Sequence, residues 1–563
     1  MREILRVGRP ADIWHKAALS APVAFGVPAL VLLACGRLDL ALYTSAGSLC
    51  ALYAHGEPYA ARARVLGWVI LGMLGGVGIA LTTAALTGSV AVRVAVAALL
   101  AGAYKAVCDA ARTGPPGGLI FTFITASCAF VPQRLPDVPA HLALGLLGAA
   151  AAWLVCMAPG LVRPEGPQRI AAARALEAAA RLVRAREGDT GTGRARHEAA
   201  AAVNAAWCTL LRVRASTPEA MTARLALERL VVHAETVVAG AGDDPARLAA
   251  WARDLRANGP VPTPPARPGD AWELSGLAAD RDAARRASGG PRRVLAALRP
   301  GSPLLPIGAR VVLGAALAGW ASMLLGVGRP SWAVVTAAAV FQANASLTWR
   351  RAVQRVVGNL VGLALFSALL PATRLGQLAL VAAVMALQFG AEATISRNYW
   401  LGTVFVTPMA LLMAELAGAQ PAGRLVAERW LDTCVGAAAG LLTCALVTNR
   451  RAAGRIGAAL GGLEAATSAA RAADGPLESA RARERLAAAL VEVREAADVA
   501  AGEWWQGALP EERVERAERD GHRALATLVL GRPGTRPAAV PASGRASRHP
   551  RGPGSDSVCR VAR

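Results

Sequence analysis

Apolar residues are concentrated in two blocks of the chain, 17–160 and 304–449, whereas 161–303 and 450–563 are rich in Arg, Glu and Asp. A helix that crosses a membrane needs about 20 apolar residues in succession. This pattern predicts an all-α polytopic membrane protein of about twelve spans, six in each block. They fall near 17–35, 38–54, 65–87, 89–108, 117–133, 139–160, 307–327, 332–347, 353–371, 375–392, 399–416 and 427–448. Because several are short or carry a charge, a total of ten or eleven stays open.

Basic residues are distributed unevenly over the turns between these spans. Most turns after even-numbered spans contain two or three basic residues, with Arg397 alone after the tenth span, and the opposite turns hold mostly single ones. Because cytoplasmic loops carry the excess of Lys and Arg, this asymmetry predicts a multi-pass protein of the cell (inner) membrane with both termini in the cytoplasm. The N-terminal membrane half is then 1–160 and the C-terminal half 304–449.

The charged regions predict helices outside the membrane. Residues 161–303 form a helical cytoplasmic insert, whose second helix opens at "STPEA" with Ser216 or Thr217 as its cap. Residues 450–530 form a helical cytoplasmic tail, and 531–563, rich in Pro, Gly, Ser and Arg, are predicted to be disordered. The two helical regions are interpreted as a self-packing domain or as the contact of a homo-oligomer.

Composition changes this picture little. The formal charge of +22 comes almost wholly from Arg, and no nucleic-acid-binding motif accompanies it, so no nucleic-acid partner is expected. The nine cysteines are scattered without a Cys-x-x-Cys pair and do not cluster with His, so neither a disulfide framework nor a metal site is predicted. The sequence contains no Walker A or Gly-x-Ser-x-Gly motif, so we expect no enzyme activity and no cofactor.

The two blocks show a weak internal repeat. Residues 61–76 can be aligned with 352–367, which pairs Arg64 and Gly67 with Arg355 and Gly358. Six spans in each block give the copies the same orientation, as in transporters built from parallel repeats.

The second block contains two longer motifs, "PSWAVVTAAAVFQANASLTWRRAVQRVVGNLVGLAL" (330–365) and "RNYWLGTVFVTP" (397–408). With Pro330, Trp332, Arg351, Ala352, Arg355, Gly358 and Gly362 in the first, and Asn398, Tyr399, Thr407 and Pro408 in the second, this part of the chain resembles the fusaric-acid-resistance-type membrane proteins. Asn359 stands where that family usually has Thr. The resemblance implies proton-gradient-driven export of small organic anions, typically aromatic carboxylic acids.

Several residues of the second block are candidates for such transport. Arg351 and Arg355, four apart at the cytoplasmic end of the ninth span, could bind an anionic substrate, or they could anchor the topology and bind lipid phosphate. Glu392 is the candidate proton-coupling carboxylate, with an ion pair to Arg397 as the competing interpretation. Gly358 and Gly362 have the spacing of a close helix–helix contact.

Neutral polar residues complete the predicted substrate path: Gln342, Asn344, Asn398 and Thr407. They could equally tie helix ends. Besides lipids and the substrate anion, no partner is specified. The resemblance therefore implies an organic-anion exporter that works by proton-gradient-coupled alternating access. A non-transporting membrane scaffold or regulator and a passive organic-anion channel are the alternatives.

Overall fold

The computed structural model of the chain describes residues 2–8, 12–111, 113–188, 192–213, 217–265, 299, 304–342, 345–373, 375–416, 421–447, 451–501 and 511–530. Within these ranges all regular structure is helical. The helices of the first apolar block are α1 (Arg2–Leu5), α2 (Trp14–Ala34), α3 (Ala41–Ser48), α4 (Tyr59–Leu86), α5 (Val90–Ala111), α6 (Leu119–Ala129), α7 (Val138–Met157) and α8 (Pro159–Val162). Short 3-10 turns at Leu38–Leu40 and Leu49–Leu52 extend α3 at both ends.

The remaining helices follow the polar and apolar regions of the sequence. The insert contains α9 (Gly166–Glu187), α10 (Thr192–Leu211), α11 (Pro218–Ala239) and α12 (Pro245–Arg256). The second apolar block contains α13 (Leu304–Leu324), α14 (Pro330–Val340), α15 (Ala345–Thr373), α16 (Gln377–Ile395), α17 (Tyr399–Leu416) and α18 (Ala422–Leu446). The tail contains α19 (Arg451–Ala472), α20 (Pro476–Ala501) and α21 (Glu511–Leu530). Asn344 and residues 531–563 lie outside the described residues.

The all-α prediction is confirmed, and the chain is a polytopic membrane protein. Seven stretches of the described residues are long and apolar enough to cross a membrane, and four more apolar helices are shorter, namely Leu38–Leu52, Leu119–Ala129, Pro330–Val340 and Tyr399–Ala414. Side chains on the outer faces of the long helices are apolar and exposed, such as Val27, Trp68 and Leu154. Side chains that face lipid are apolar because the membrane interior holds no water that could hydrogen-bond to polar groups.

The six helices α2–α7 (the first half) and the six helices α13–α18 (the second half) pack in the same pattern. In each half the first helix contacts the second and sixth, the second contacts the third and sixth, the third contacts the fourth, fifth and sixth, and the fourth contacts the fifth. The second segment also ends alike in both halves, at an extended residue, Tyr53 or Phe341. The halves are therefore two copies of one six-helix arrangement.

The halves are joined reciprocally. The first helix of each packs against the fourth helix of the other, α2 against α16 and α13 against α5. Two apolar clusters lie at these joints, one around Phe25 and Val384 and the other around Val94 and Ala315.

The predicted pairing of Arg64 with Arg355 is wrong by two residues. Arg64 and Gly67 are exposed, whereas Arg62 is buried like Arg355, and the burial pattern along α4 then follows that of α15. The error arose because "ARAR" offers two arginines, and only the packing of α4 shows which one faces inward.

The insert and the tail each have an apolar core of their own, and they also contact each other. Thr217 caps α11 by accepting a hydrogen bond from the Ala220 N–H at 3.2 Å. Helix α11 packs against α21 of the tail, and α10 packs against α20. The insert meets the first half through Asp12, which accepts hydrogen bonds from Arg174 (2.8 Å) and Arg256 (2.6 Å).

Candidate functional site

A column of buried polar side chains runs through the second half, between α13, α14, α15, α17 and α18. Burying polar and charged groups among apolar helices costs free energy unless they are paired, so such groups within membrane helices mark functional sites by default. The column has three levels, which are described from the end where α15 and α17 begin.

Tyr399 is the centre of the first level. The Arg355 Nη1 donates a hydrogen bond to the Tyr399 hydroxyl at 3.1 Å, and the Arg351 guanidinium lies over the Tyr399 ring, 3.2 Å from its centroid. The Nε atoms of both arginines are buried without a hydrogen-bond partner in the described part of the chain. Two arginines therefore converge on one aromatic ring with donor capacity to spare.

This arrangement corrects the predicted position of the two arginines. The sequence places the ninth span at 353–371 and the arginines at its cytoplasmic end, but α15 begins already at Ala345. Arg355 consequently lies about three turns inside the helix and is only 4% exposed. The polar run "TWRRAVQR" hid the start of the helix from a count of apolar residues.

The middle level is a chain of hydrogen bonds that links three helices. Asn359 on α15 donates to the Thr433 hydroxyl on α18 at 2.7 Å and accepts from the Thr407 hydroxyl on α17 at 3.0 Å. All three side chains are fully buried. Asn359 is the residue that departs from the family pattern, and here both ends of its amide are used.

The third level contains two buried ionisable side chains of α18, Arg429 and Asp432. Arg429 on α18 is fully buried, lies over the Trp332 ring of α14 at 5.1 Å, and none of its three guanidinium nitrogens has a hydrogen-bond partner among the described residues. One turn further along α18, Asp432 is also fully buried; its Oδ1 accepts from the Ser322 hydroxyl of α13 at 2.5 Å, and its Oδ2 has no partner within the same ranges.

The structure places the other predicted site residues away from this column. The side chain of Gln342 bonds the Phe341 carbonyl at the break between α14 and α15, and its backbone N–H donates to Thr348. Asn398 donates to the carbonyls of Ile4 and Arg6, both at 3.0 Å, and so fixes the N-terminal segment. Of the predicted path residues, Arg351, Arg355 and Thr407 are brought together; Asn344 lies outside the described residues.

Glu392 on α16 also lies apart from the arginines. Its carboxylate accepts a hydrogen bond from the Gln388 amide at 3.3 Å, while Arg397 is exposed. In the described ranges no ion pair joins Glu392 to Arg397, so the competing interpretation of Glu392 is not supported.

Gly358 and Gly362 lie where α15 meets α17. A Cβ atom on Gly358 would stand 2.5 Å from the Trp400 carbonyl oxygen, and one on Gly362 would stand 2.8 Å from the Thr407 Cβ. Both distances are far below van der Waals contact, so the two glycines allow the close approach that positions Thr407 against Asn359.

Sequence reasoning assigned neither Arg429 nor Asp432 to the site. The signal was present, since three ionisable residues, Glu428, Arg429 and Asp432, interrupt an otherwise apolar segment. What the sequence did not reveal is how the neighbouring helices α13, α14 and α15 close over them.

An all-helical polytopic fold with a buried, arginine-rich polar column defines the chain as a polytopic membrane protein with ionisable groups buried in its second half. The family model described as fusaric acid resistance protein-like matches residues 316–443, which include all three levels of the column. This part of the chain is therefore similar to a fusaric acid resistance protein-like domain, as the motifs predicted.

One curated relative is an uncharacterized membrane protein, YvaC, of Bacillus subtilis (strain 168), 34% identical over 131 residues. The match covers 23% of this chain, and the chain spans only 21% of the length of that relative. No solved structure matches the chain.

Proposed function

We propose that this protein exports small organic anions, in the first place aromatic carboxylic acids, across the inner membrane by alternating access driven by the proton gradient. The observation that carries the proposal is Arg429, a fully buried guanidinium whose three nitrogens have no hydrogen-bond partner in the described part of the chain. A planar guanidinium with free donors matches a carboxylate bidentately, and such charge-assisted hydrogen bonds are the strong ones.

The preference for aromatic acids is supported by the rings beside the arginines. Trp332 lies below Arg429, and Tyr399 lies below Arg351. An aromatic carboxylate at either end of the column would contact both a guanidinium group and the face of an aromatic ring.

The closed state of the column favours a carrier over a passive channel. Asn359, Thr407 and Arg429 are all fully buried, so neither side of the membrane reaches them without a movement of helices. Arg351 and Arg355 are proposed to receive the anion on the cytoplasmic side, and Glu392 remains the proposed proton-coupling residue.

Uptake of labelled aromatic carboxylates into inverted vesicles containing the protein tests this function. We expect uptake that requires an acidic vesicle interior and that falls at least about tenfold in Arg429→Gln and Arg355→Ala, since each loses a charge-assisted contact. Glu392→Gln should abolish the dependence on the proton gradient.

Two results would reject the proposal. Uptake that is indifferent to the gradient would favour a passive anion channel. No uptake over a broad panel of anions, at normal amounts of folded protein, would favour the scaffold or regulator, whose partners would bind the helical insert and tail.

A further inference from the structure

Arg429 and Asp432 form an unusual pair because they carry opposite charges, lie three residues apart on α18 and do not hydrogen-bond to each other. Both are fully buried. Asp432 is turned towards Ser322, with one oxygen bonded and the other without a partner among the described residues. The two groups nevertheless interact electrostatically.

The helix geometry allows the direct ion pair that is not made. Side chains three apart on a helix lie on one face, within reach of each other. A rotation of the Asp432 side chain away from Ser322 would bring its carboxylate to the Arg429 guanidinium. Asp432 thus has two alternative partners, one neutral and one charged.

Among the described residues, the acid that interacts electrostatically with Arg429 is Asp432. Glu428, the preceding residue, accepts a hydrogen bond from Arg424 at 2.7 Å and also faces Arg329. On the other helices, Arg355 of α15 and the Tyr399 hydroxyl of α17 lie within electrostatic range of Arg429. Asp432 is therefore the natural counter-ion of Arg429 within the protein.

We propose that Asp432 acts as a tethered counter-ion that replaces the substrate carboxylate on Arg429 when no anion is bound. This role rests on the proposed function. An unpaired buried charge is strongly unfavourable. An empty carrier whose Arg429 has no counter-ion would therefore pass slowly through the occluded state on its return. With Asp432 on Arg429 the two charges cancel, and the empty carrier can return.

Two kinds of transport separate this role from a merely structural one. Exchange of one anion for another needs only the loaded carrier, whereas net efflux also needs the empty carrier to return. In Asp432→Asn we expect net efflux to fall at least about tenfold while exchange stays within about twofold, because only the empty step loses its counter-ion. The affinity for the anion should rise, since a tethered competitor is removed.

The experiment uses the full chain in proteoliposomes loaded with labelled benzoate. Release is measured into buffer without organic anion for net efflux and into buffer with unlabelled benzoate for exchange. Equal loss of both rates in folded Asp432→Asn, or no loss of either, would overturn the role of Asp432. A wild type that moves no carboxylate in either format rejects the transport function itself and this role with it.

Ser322→Ala provides a second, independent measurement. It removes the neutral partner of Asp432, which should then stay on Arg429 and compete with the anion. We expect Ser322→Ala to raise the dissociation constant for benzoate severalfold. In the Asp432→Asn background, Ser322→Ala should leave that constant unchanged. An unchanged constant in Ser322→Ala, or an equal rise in both backgrounds, would contradict the proposal.

Discussion

Arg62 and Arg429 are both almost fully buried arginines in membrane helices, but their guanidinium groups have opposite surroundings. Arg62 donates to the carbonyls of Ala54, His55, Glu57 and Cys156 at 2.7–3.2 Å. Arg429 donates to none of the described residues. Since a buried donor without an acceptor costs about 1–3 kcal/mol, Arg62 stabilises the fold, whereas Arg429 destabilises it, and the proposed anion would relieve this cost.

The contact between α15 and α17 yields a prediction at this scale. Gly358→Ala should lower the free energy of unfolding by about 1–3 kcal/mol, because its Cβ would overlap the Trp400 carbonyl. Gly67→Ala on α4 is the matched control: nothing lies within 4 Å of that position, so the change should be neutral or slightly stabilising.

Thermal unfolding of the two variants in the same detergent checks the prediction. A lower midpoint for Gly358→Ala alone is expected. Equal midpoints would show that α15 and α17 do not pack as described.

The residues of the site were predictable only in part. Arg355 and Thr407 were found because they belong to the motifs that carry the family resemblance. Arg429 was missed because its importance depends on the absence of acceptors around it, which only the packing of α14, α15 and α18 decides. For the same reason Asn398 was assigned to the path, although it ties the N-terminal segment instead.

At the scale of helices, hydropathy predicted that the segments exist but not where some of them begin or end. The eighth span was predicted to reach 347, yet α14 ends at Val340, and an extended Phe341 starts the turn into α15. Helix α15 then begins eight residues before the predicted start of the ninth span. A polar helical turn and a polar loop look alike in a count of apolar residues.

The contact between insert and tail depends on a buried ion pair. Glu235 on α11 lies 3.3 Å from Arg483 on α20 and accepts a hydrogen bond from the Trp207 Nε1 at 3.1 Å. Burial raises the pKa of the Glu235 carboxyl above its ordinary value of 4.5, although Arg483 and the Trp207 N–H oppose this rise.

The raised pKa predicts a pH dependence with a definite sign. The assembled state binds the Glu235 proton more tightly than the unfolded chain does, so this stabilisation is complete below the ordinary pKa and is lost as the pH rises through the raised pKa. Glu235→Gln should remove the dependence. Arg483→Ala should destabilise the contact by about 3 kcal/mol, because it leaves a buried carboxylate without that cation.

Hydrogen exchange along α20, measured between about pH 5 and about pH 8, tests this prediction. We expect protection in the wild type to decrease with pH and protection in Glu235→Gln to stay level. The same slope in both proteins would contradict the assignment to Glu235.

At the scale of the whole molecule, the two halves share one packing pattern but not one chemistry. The six-helix repeat and its parallel arrangement were predictable from the count of spans. The reciprocal packing of first and fourth helices was not, because it joins segments distant in the sequence. The buried polar column lies in the second half, while the corresponding arginine of the first half is saturated by backbone carbonyls.

Two exposed cysteines allow a test of the proposed orientation. Cys35 follows α2, and Cys208 lies on α10 of the insert. If both termini are cytoplasmic, a membrane-impermeant maleimide should label Cys35 in intact cells and should reach Cys208 only after permeabilisation.

The experiment is made in a Cys559→Ser background, with Cys35→Ser as the control for background labelling. Cysteines 50, 108, 128, 156 and 444 are buried and should react slowly. Labelling of Cys208 but not Cys35 in intact cells would invert the topology.

Binding of labelled benzoate to the purified protein, measured by equilibrium dialysis, tests the central claim that Arg429 holds a carboxylate. In Arg429→Gln the affinity should fall at least about tenfold, the loss expected for hydrogen bonds to a charged group. Arg93→Gln is the control, because that guanidinium is bonded to the Ala84 and Thr87 carbonyls at 2.7–3.0 Å. Equal affinity in the wild type and in folded Arg429→Gln would contradict the account.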